Sequence, residues 1–158
     1  MSAGLAGEGT PPSEILSASE AETEALGRQL GRILRPQDVV YLRGNLGAGK
    51  TALARGIAAG RGAQARQVAS PTFALLHEYA GQDGVIVLRH LDLYRLGDSL
   101  RDLEVLGLPG SVEGAPVVVE WPNRTISETL PSTVDVTIER SSEEARRIAW
   151  TRVGAMKI

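Results

Sequence analysis

Gly44-Asn45-Leu46-Gly47-Ala48-Gly49-Lys50-Thr51, GNLGAGKT in one-letter code, is the stretch on which the fold turns. It fits G-x-x-x-x-G-K-[ST], the phosphate-binding loop. Glycines let the backbone curl until successive N–H groups point at an anion. A helix beginning here adds unpaired N–H groups and the positive end of its dipole. Lys50 brings a point charge to the β- and γ-phosphates, and the Thr51 hydroxyl is a hard oxygen ligand suited to Mg²⁺. The alternative is a glycine-rich turn with an incidental Lys-Thr, a pattern that composition alone yields in roughly one chain in a few hundred of this size. The flanks decide between the two. Asp38–Arg43 (DVVYLR) is an apolar run of β-formers, and TALARGIAAG after the loop reads as a helix closing at Gly60. Strand, glycine loop and helix predict an α/β protein with a P-loop NTPase-like three-layer fold. Its central sheet is expected to be mainly parallel with some antiparallel strands, and helices to cover both faces.

The remaining segments fit that frame. Ser19 and Glu22 have the spacing of a capping box, and apolar residues recur at helical spacing up to Leu34, with Pro36 just beyond. These predict a helix over 19–34. Residues 61–69 read as a loop. Phe73–Tyr79 and Val85–Leu93, separated by GQDG, read as a hairpin. Ser99–Leu106 reads as a short helix and 107–114 as a loop. Val117–Trp121 (VVVEW) reads as a buried strand, and Val134–Glu139 as a strand pairing with 147–153 across SSEE. Residues 1–13 read as a disordered tail and 14–158 as a single domain.

Composition narrows the function. The chain has 158 residues, a formal net charge of -2 and no cysteine. Absence of cysteine excludes disulfides, thiolate metal sites and cysteine nucleophiles. A chain that grips nucleic acid alone carries a basic surplus, and this one does not, so DNA is not expected as a partner. No apolar run approaches the ~20 residues of a membrane span, and the first residues lack a signal's basic and apolar regions, so a cytoplasmic protein is expected.

A phosphate loop needs an acid for its metal, normally at the end of another strand. Asp92 ends VIVLRHLD and Glu120 ends PVVVE, with Glu120 favoured because three valines imply a buried strand delivering its acid to an edge. Thr72, in SPT, is a candidate switch threonine or else part of a Ser-Pro turn. His90, Asp92, Tyr94 and Arg95 read as one polar face of a strand. No N-K-x-D guanine signature occurs, Asn123-Arg124 lacking the rest of it, so adenine is the favoured base.

Four blocks in order resemble the TsaE (formerly YjeE) family of small bacterial P-loop ATPases of tRNA threonylcarbamoyladenosine biosynthesis: LRGNLGAGKTALARG, SPTFALLHEY, HLDLYRL and VEWPNR. The resemblance covers roughly residues 15 to 150. It implies that Gly47, Ala48, Gly49, Lys50, Thr51 and Ala52 wrap the phosphates of ATP, and that Thr51 and Glu120 hold Mg²⁺. Asp92 is implied at the metal or the attacking water, Thr72 as the switch threonine, and Trp121 beside the site. Arg146 is implied to reach the nucleotide, although Arg147 is adjacent. Position 45 is Asn where the family usually has Asp or Glu, and position 123 is Asn where an acid is common. The implied partners are TsaB and TsaD, with tRNA met through that complex, which modifies adenosine 37 and is reset by ATP hydrolysis. Two other readings use the same loop. One is a small-molecule kinase, whose lid arginines would be Arg95 and Arg101. The other is a nucleotide-gated binding module without significant hydrolysis.

Overall fold

The structure, a computed structural model, describes residues 13–64, 68–69, 76–94 and 114–153. In chain order the elements are β1 (Ser13–Ser17), α1 (Glu20–Ile33), β2 (Val39–Arg43), α2 (Lys50–Gly60) and β3 (Val68–Ala69). They continue with β4 (Leu76–Ala80), β5 (Ile86–Asp92), β6 (Val117–Glu120), α3 (Arg124–Thr129), β7 (Val134–Arg140) and β8 (Arg146–Arg152). The strands form one eight-stranded sheet in the order β1-β8-β7-β2-β6-β5-β4-β3. Its centre is parallel: β2 pairs with β6 and β7, and β5 with β6. Both flanks are antiparallel, β1-β8-β7 on one side and β5-β4-β3 on the other.

The central strands lack alternation because both of their faces are covered. Val40, Leu42 and Val118 pack with Leu26, Leu30, Leu53 and Ile57 of α1 and α2. Val39, Tyr41, Val117 and Val119 point the other way, toward Ile126 of α3. A parallel β2 running out of this core delivers the glycine loop to the carboxyl edge of the sheet, where the α/β crevice forms. α1 starts as its capping spacing requires. The Glu22 N–H donates to Ser19 Oγ at 3.1 Å, and Glu22 Oε1 accepts the Ala18 N–H at 2.7 Å. α1 and α2 meet through glycines: a Cβ on Gly27 would lie 2.4 Å from the Leu53 carbonyl oxygen, and one on Gly56 2.2 Å from that of Glu24.

The expected elements within the described residues are present, shifted by a few residues at most. Three further elements are not among those expected: β1, β3 and α3. β1 is a five-residue edge strand that exists through its ladder with β8, Ser13 facing Trp150 and Ser17 facing Arg146. β3 is two residues inside the expected 61–69 loop, held against Glu78 and His77. α3 is six residues long, too short to be stable alone; Asn123 Oδ1 caps it by accepting the Ile126 N–H at 2.8 Å. The helix expected over 99–106 lies outside the described residues, as does the tail expected over 1–13 apart from Ser13, which opens β1.

At the end of the sheet opposite the loop, Asp38 is 2% exposed. It accepts from Arg152 Nη1 at 2.8 Å and Nη2 at 3.2 Å, from the Arg35 N–H at 2.7 Å and from Thr133 Oγ1 at 2.7 Å. Burial, the largest single influence, pushes its carboxyl up, but the Arg152 bonds and charge with the Arg35 and Thr133 bonds outweigh it, and the net displacement is below 3.8. A depressed folded value stabilises fully above the unfolded value. The stabilisation is lost as pH falls through 3.8 toward the folded value. Urea unfolding between pH 2 and 6 is therefore expected to show a stability loss that begins below about pH 4. Asp38→Asn is expected to flatten that limb, and an unchanged acid limb in the variant would refute the assignment.

Candidate functional site

The loop keeps its shape through three glycines. A Cβ on Gly44 would meet the Ile138 carbonyl oxygen at 2.5 Å, so β7 presses on the loop from one side. Gly47 (φ 80°) and Gly49 (φ 109°) are left-handed, which turns the chain into the first residue of α2, Lys50. Lys50 is 6% exposed. Its Nζ donates to the Gly44 carbonyl and lies 3.5 Å from the Trp121 ring centroid. Burial lowers the Lys50 pKa, against the opposing pull of Glu120 and Asp92. Trp121 holds φ 57°, the only left-handed non-glycine among the described residues, and Tyr94 packs on it with ring centroids 5.0 Å apart. The strain falls directly after β6, where the chain leaves the sheet at the site.

The two acids stand side by side, because β5 and β6 are parallel neighbours with Asp92 in register with Glu120. Glu120 is 5% exposed, and its Oε2 lies 2.6 Å from His90 Nε2. Asp92 Oδ1 accepts the Tyr94 N–H at 3.0 Å. Arg146, at the start of β8, lies across the loop, its Nε 3.3 Å from where a Gly49 Cβ would stand. Its Nη1 donates to the carbonyls of Ser142, Glu143 and Ala145. Arg147 faces away and pairs with Glu14 at 3.6 Å. Gly47, Gly49, Lys50, Thr51, Ala52, Asp92, Glu120, Trp121 and Arg146 line one cavity of about 420 Å³. Ala48 is not in that lining: it is buried and borders the cavity behind the loop, its N–H donating to the Asn45 carbonyl at 3.0 Å.

Some expectations change in three dimensions. Strand β5 ends at Asp92, so the supposed four-residue polar face stops there. Tyr94 reaches the cavity through a turn. Arg95, Arg101 and Thr72 lie outside the described residues. Asn45 lines a different cavity behind the loop, with Arg43 and Arg140, and Asn123 caps α3. Neither asparagine is among the described lining of the phosphate cavity. Glu20 and Thr23 of α1 and Glu144 of the β7–β8 turn do line it, and no sequence pattern pointed to them.

These side chains fit a magnesium nucleotide. Thr51, Asp92 and Glu120 are hard oxygen donors beside the buried Lys50 and the N-terminus of α2. Mg²⁺ retains waters and takes phosphate oxygens beside one or two protein ligands, so it needs no all-protein cage.

The family model described as "Threonylcarbamoyl adenosine biosynthesis protein TsaE" matches residues 17–148. The chain belongs to the TsaE family. The tRNA threonylcarbamoyladenosine biosynthesis protein TsaE of Bacillus subtilis is 41% identical over 135 residues, 84% of this chain and 81% of that protein. The TsaE protein of Mycobacterium bovis is 40% identical over 156 residues, 94% of this chain and 90% of that one. The crystal structure of Bacillus subtilis YdiB superposes with a TM-score of 0.68 at 32% identity, covering 91% of this chain and 87% of that one. The architecture is thus the P-loop ATPase type of TsaE proteins of threonylcarbamoyladenosine biosynthesis. No described helix of this TsaE chain is long and apolar enough to cross a membrane.

Proposed function

We propose that this TsaE chain, as a single cytoplasmic ATPase domain over 14–158, binds Mg·ATP on residues 44–52. It hydrolyses ATP slowly alone and faster with TsaB and TsaD, resetting the complex that modifies adenosine 37 of tRNA. The observation that carries this reading is the convergence of Lys50, Thr51, Glu120, Asp92 and Arg146 on one cavity from four separate elements.

The loop N–H groups and the α2 N-terminus hold the phosphates, and Lys50 leaves its resting partners to bridge the β- and γ-oxygens. Thr51 and Glu120 would hold Mg²⁺, which supplies charge neutralisation at the phosphates. Asp92 orients the attacking water, and Arg146 steadies the nucleotide from the β8 side. Little covalent chemistry is asked of the protein; positioning and electrostatics carry the rate. Besides Lys50, two arginines line the cavity among the described residues, and both are engaged: Arg146 on three carbonyls, and Arg55 on Glu24 and on Glu20 at 3.5 Å. That engagement supports slow turnover alone and a rate raised by a partner. Thr72 is proposed as the switch threonine. The chain's net charge of -2 supports contact with tRNA through the partners rather than directly.

The test is ATP hydrolysis with Mg²⁺, with and without the cognate TsaB–TsaD pair, beside Lys50→Ala. Turnover is expected to rise about tenfold or more with the pair, well within what a cation supplied in trans achieves. The lysine variant should show none. A rate indifferent to the pair sinks the accessory-ATPase reading. A phosphorylated metabolite would then identify a kinase, and partner binding without hydrolysis a nucleotide-gated module.

A further inference from the structure

We propose that His90 is a positioning residue. Its Nε2 hydrogen bond holds the Glu120 carboxylate in the one orientation that meets the cation of Mg·ATP. The inference rests on the reading of Glu120 as a cation ligand given above.

Glu120 closes a strand whose four residues are all buried. A buried carboxylate is costly without a partner. Among the described residues, the side-chain hydrogen bond of the Glu120 carboxylate is the one with His90, at 2.6 Å; a carboxylate accepts, so the imidazole Nε2–H donates. The nearest ammonium does not share this task, because Lys50 Nζ is turned onto the Gly44 carbonyl and the face of Trp121. The imidazole therefore sets the rotamer of the acid.

The sheet explains the arrangement. His90 and Asp92 are two residues apart on β5, so they share a face. Asp92 is in register with Glu120 and lines the phosphate cavity, while His90 stands one step back and does not line it. His90 lines instead a second cavity of about 390 Å³ on the β4 side, together with His77, Thr51, Asp92 and Glu120. His77 is its register partner across β4–β5, with ring centroids 6.2 Å apart. The imidazole is bonded to the acid, and no hydrogen bond links it to the neighbouring His77 ring among the described residues. It acts through Glu120 and touches no phosphate position itself. Supporting hydrogen bonds of this kind fix ligand orientation, and losing one typically weakens metal affinity 10–100-fold.

The experiment uses the full chain with the non-hydrolysable analogue AMP-PNP and Mn²⁺ in place of Mg²⁺. Free Mn²⁺ is read by its electron paramagnetic resonance signal, and metal-free AMP-PNP affinity is measured by calorimetry. His90→Ala is expected to weaken Mn²⁺ binding about tenfold or more while metal-free AMP-PNP affinity stays within about twofold. His90→Gln, whose side-chain amide can donate from the position of Nε2, is expected to recover most of the loss. His77→Ala, which removes the neighbouring ring, should stay within about twofold of the parent. If His90→Ala proves unfolded by circular dichroism, His90→Phe, which keeps the ring volume without the donor, is judged by the same criteria. Unchanged Mn²⁺ affinity in His90→Ala beside a tenfold loss in Glu120→Gln would overturn the inference and leave Glu120 as the ligand. A His90→Gln variant as weak as His90→Ala would overturn the hydrogen-bond account. Unchanged affinity in Glu120→Gln would overturn the cation-ligand reading, and the inference with it.

Discussion

Lys50→Ala is expected to weaken ATP binding about 100-fold or more, measured by calorimetry with and without Mg²⁺. Lys50 is 6% exposed, and it opens α2 directly after a loop bent by left-handed Gly47 and Gly49. Removing one partner of a buried charged pair costs about 3–5 kcal/mol, since the other charge is left desolvated and unmatched. At 1.4 kcal/mol per decade, even the lower figure is about two decades of affinity. The variant should nevertheless fold. In the ligand-free chain, burial already opposes the charged form of Lys50, and its contacts are one carbonyl and one ring face rather than core packing. Trp121 reports the same event, because the ring that Lys50 covers at 3.5 Å is uncovered when the ammonium moves to phosphate. Unchanged ATP affinity in a folded Lys50→Ala protein would show that residues 44–51 do not hold the phosphates.

Gly56→Ala should lower stability by about 2 kcal/mol or more, although alanine is the better helix former by about 1 kcal/mol. The new methyl would stand 2.2 Å from the Glu24 carbonyl oxygen and 3.0 Å from the Gly27 Cα. Both neighbours are backbone, so neither can swing aside. The helices must separate, which opens the contact between Leu26 and Leu30 of α1 and Leu53 and Ile57 of α2. Gly27, Gly31 and Gly60 meet the partner helix's backbone in the same way, so the two axes are held close along two full turns. Function should suffer as well, because α2 carries Lys50 and Thr51, and α1 presents Glu20 and Thr23 to the same cavity. Urea unfolding followed by circular dichroism decides the matter. A raised midpoint, which helix propensity alone demands, would rule out close packing at this position.

The glycine pairs show how much of this molecule could be read locally. In the sequence, Gly27, Gly31 and Gly56 are only interruptions of helical patterns, and Gly60 only a helix end. Their role emerges once the two helices lie side by side on the parallel strands. Asn123 teaches the same lesson in the opposite direction. As a missing acid it looks like a change at the site, yet its side chain is spent on the α3 cap. Arg146 and Arg147 are adjacent in sequence and indistinguishable there. The antiparallel β7–β8 ladder turns one over Gly49 and the other out to Glu14.

What the sequence determined by itself is whatever depends on neighbours along the chain. The spacing of glycines before Lys50-Thr51 dictates the loop, Ser19 and Glu22 dictate the start of α1, and a run of valines dictates a buried strand ending in Glu120. Those constraints act over a few residues, through allowed φ and ψ, capping bonds and side-chain periodicity. The tertiary structure decided which distant groups meet. It brought His90 to Glu120 across 30 positions, Arg152 to Asp38 across 114, and Glu20 and Thr23 of α1 to the phosphate cavity. Strand register and helix packing make these contacts, and both are settled by burying apolar surface over the whole sheet, which no short window of sequence contains.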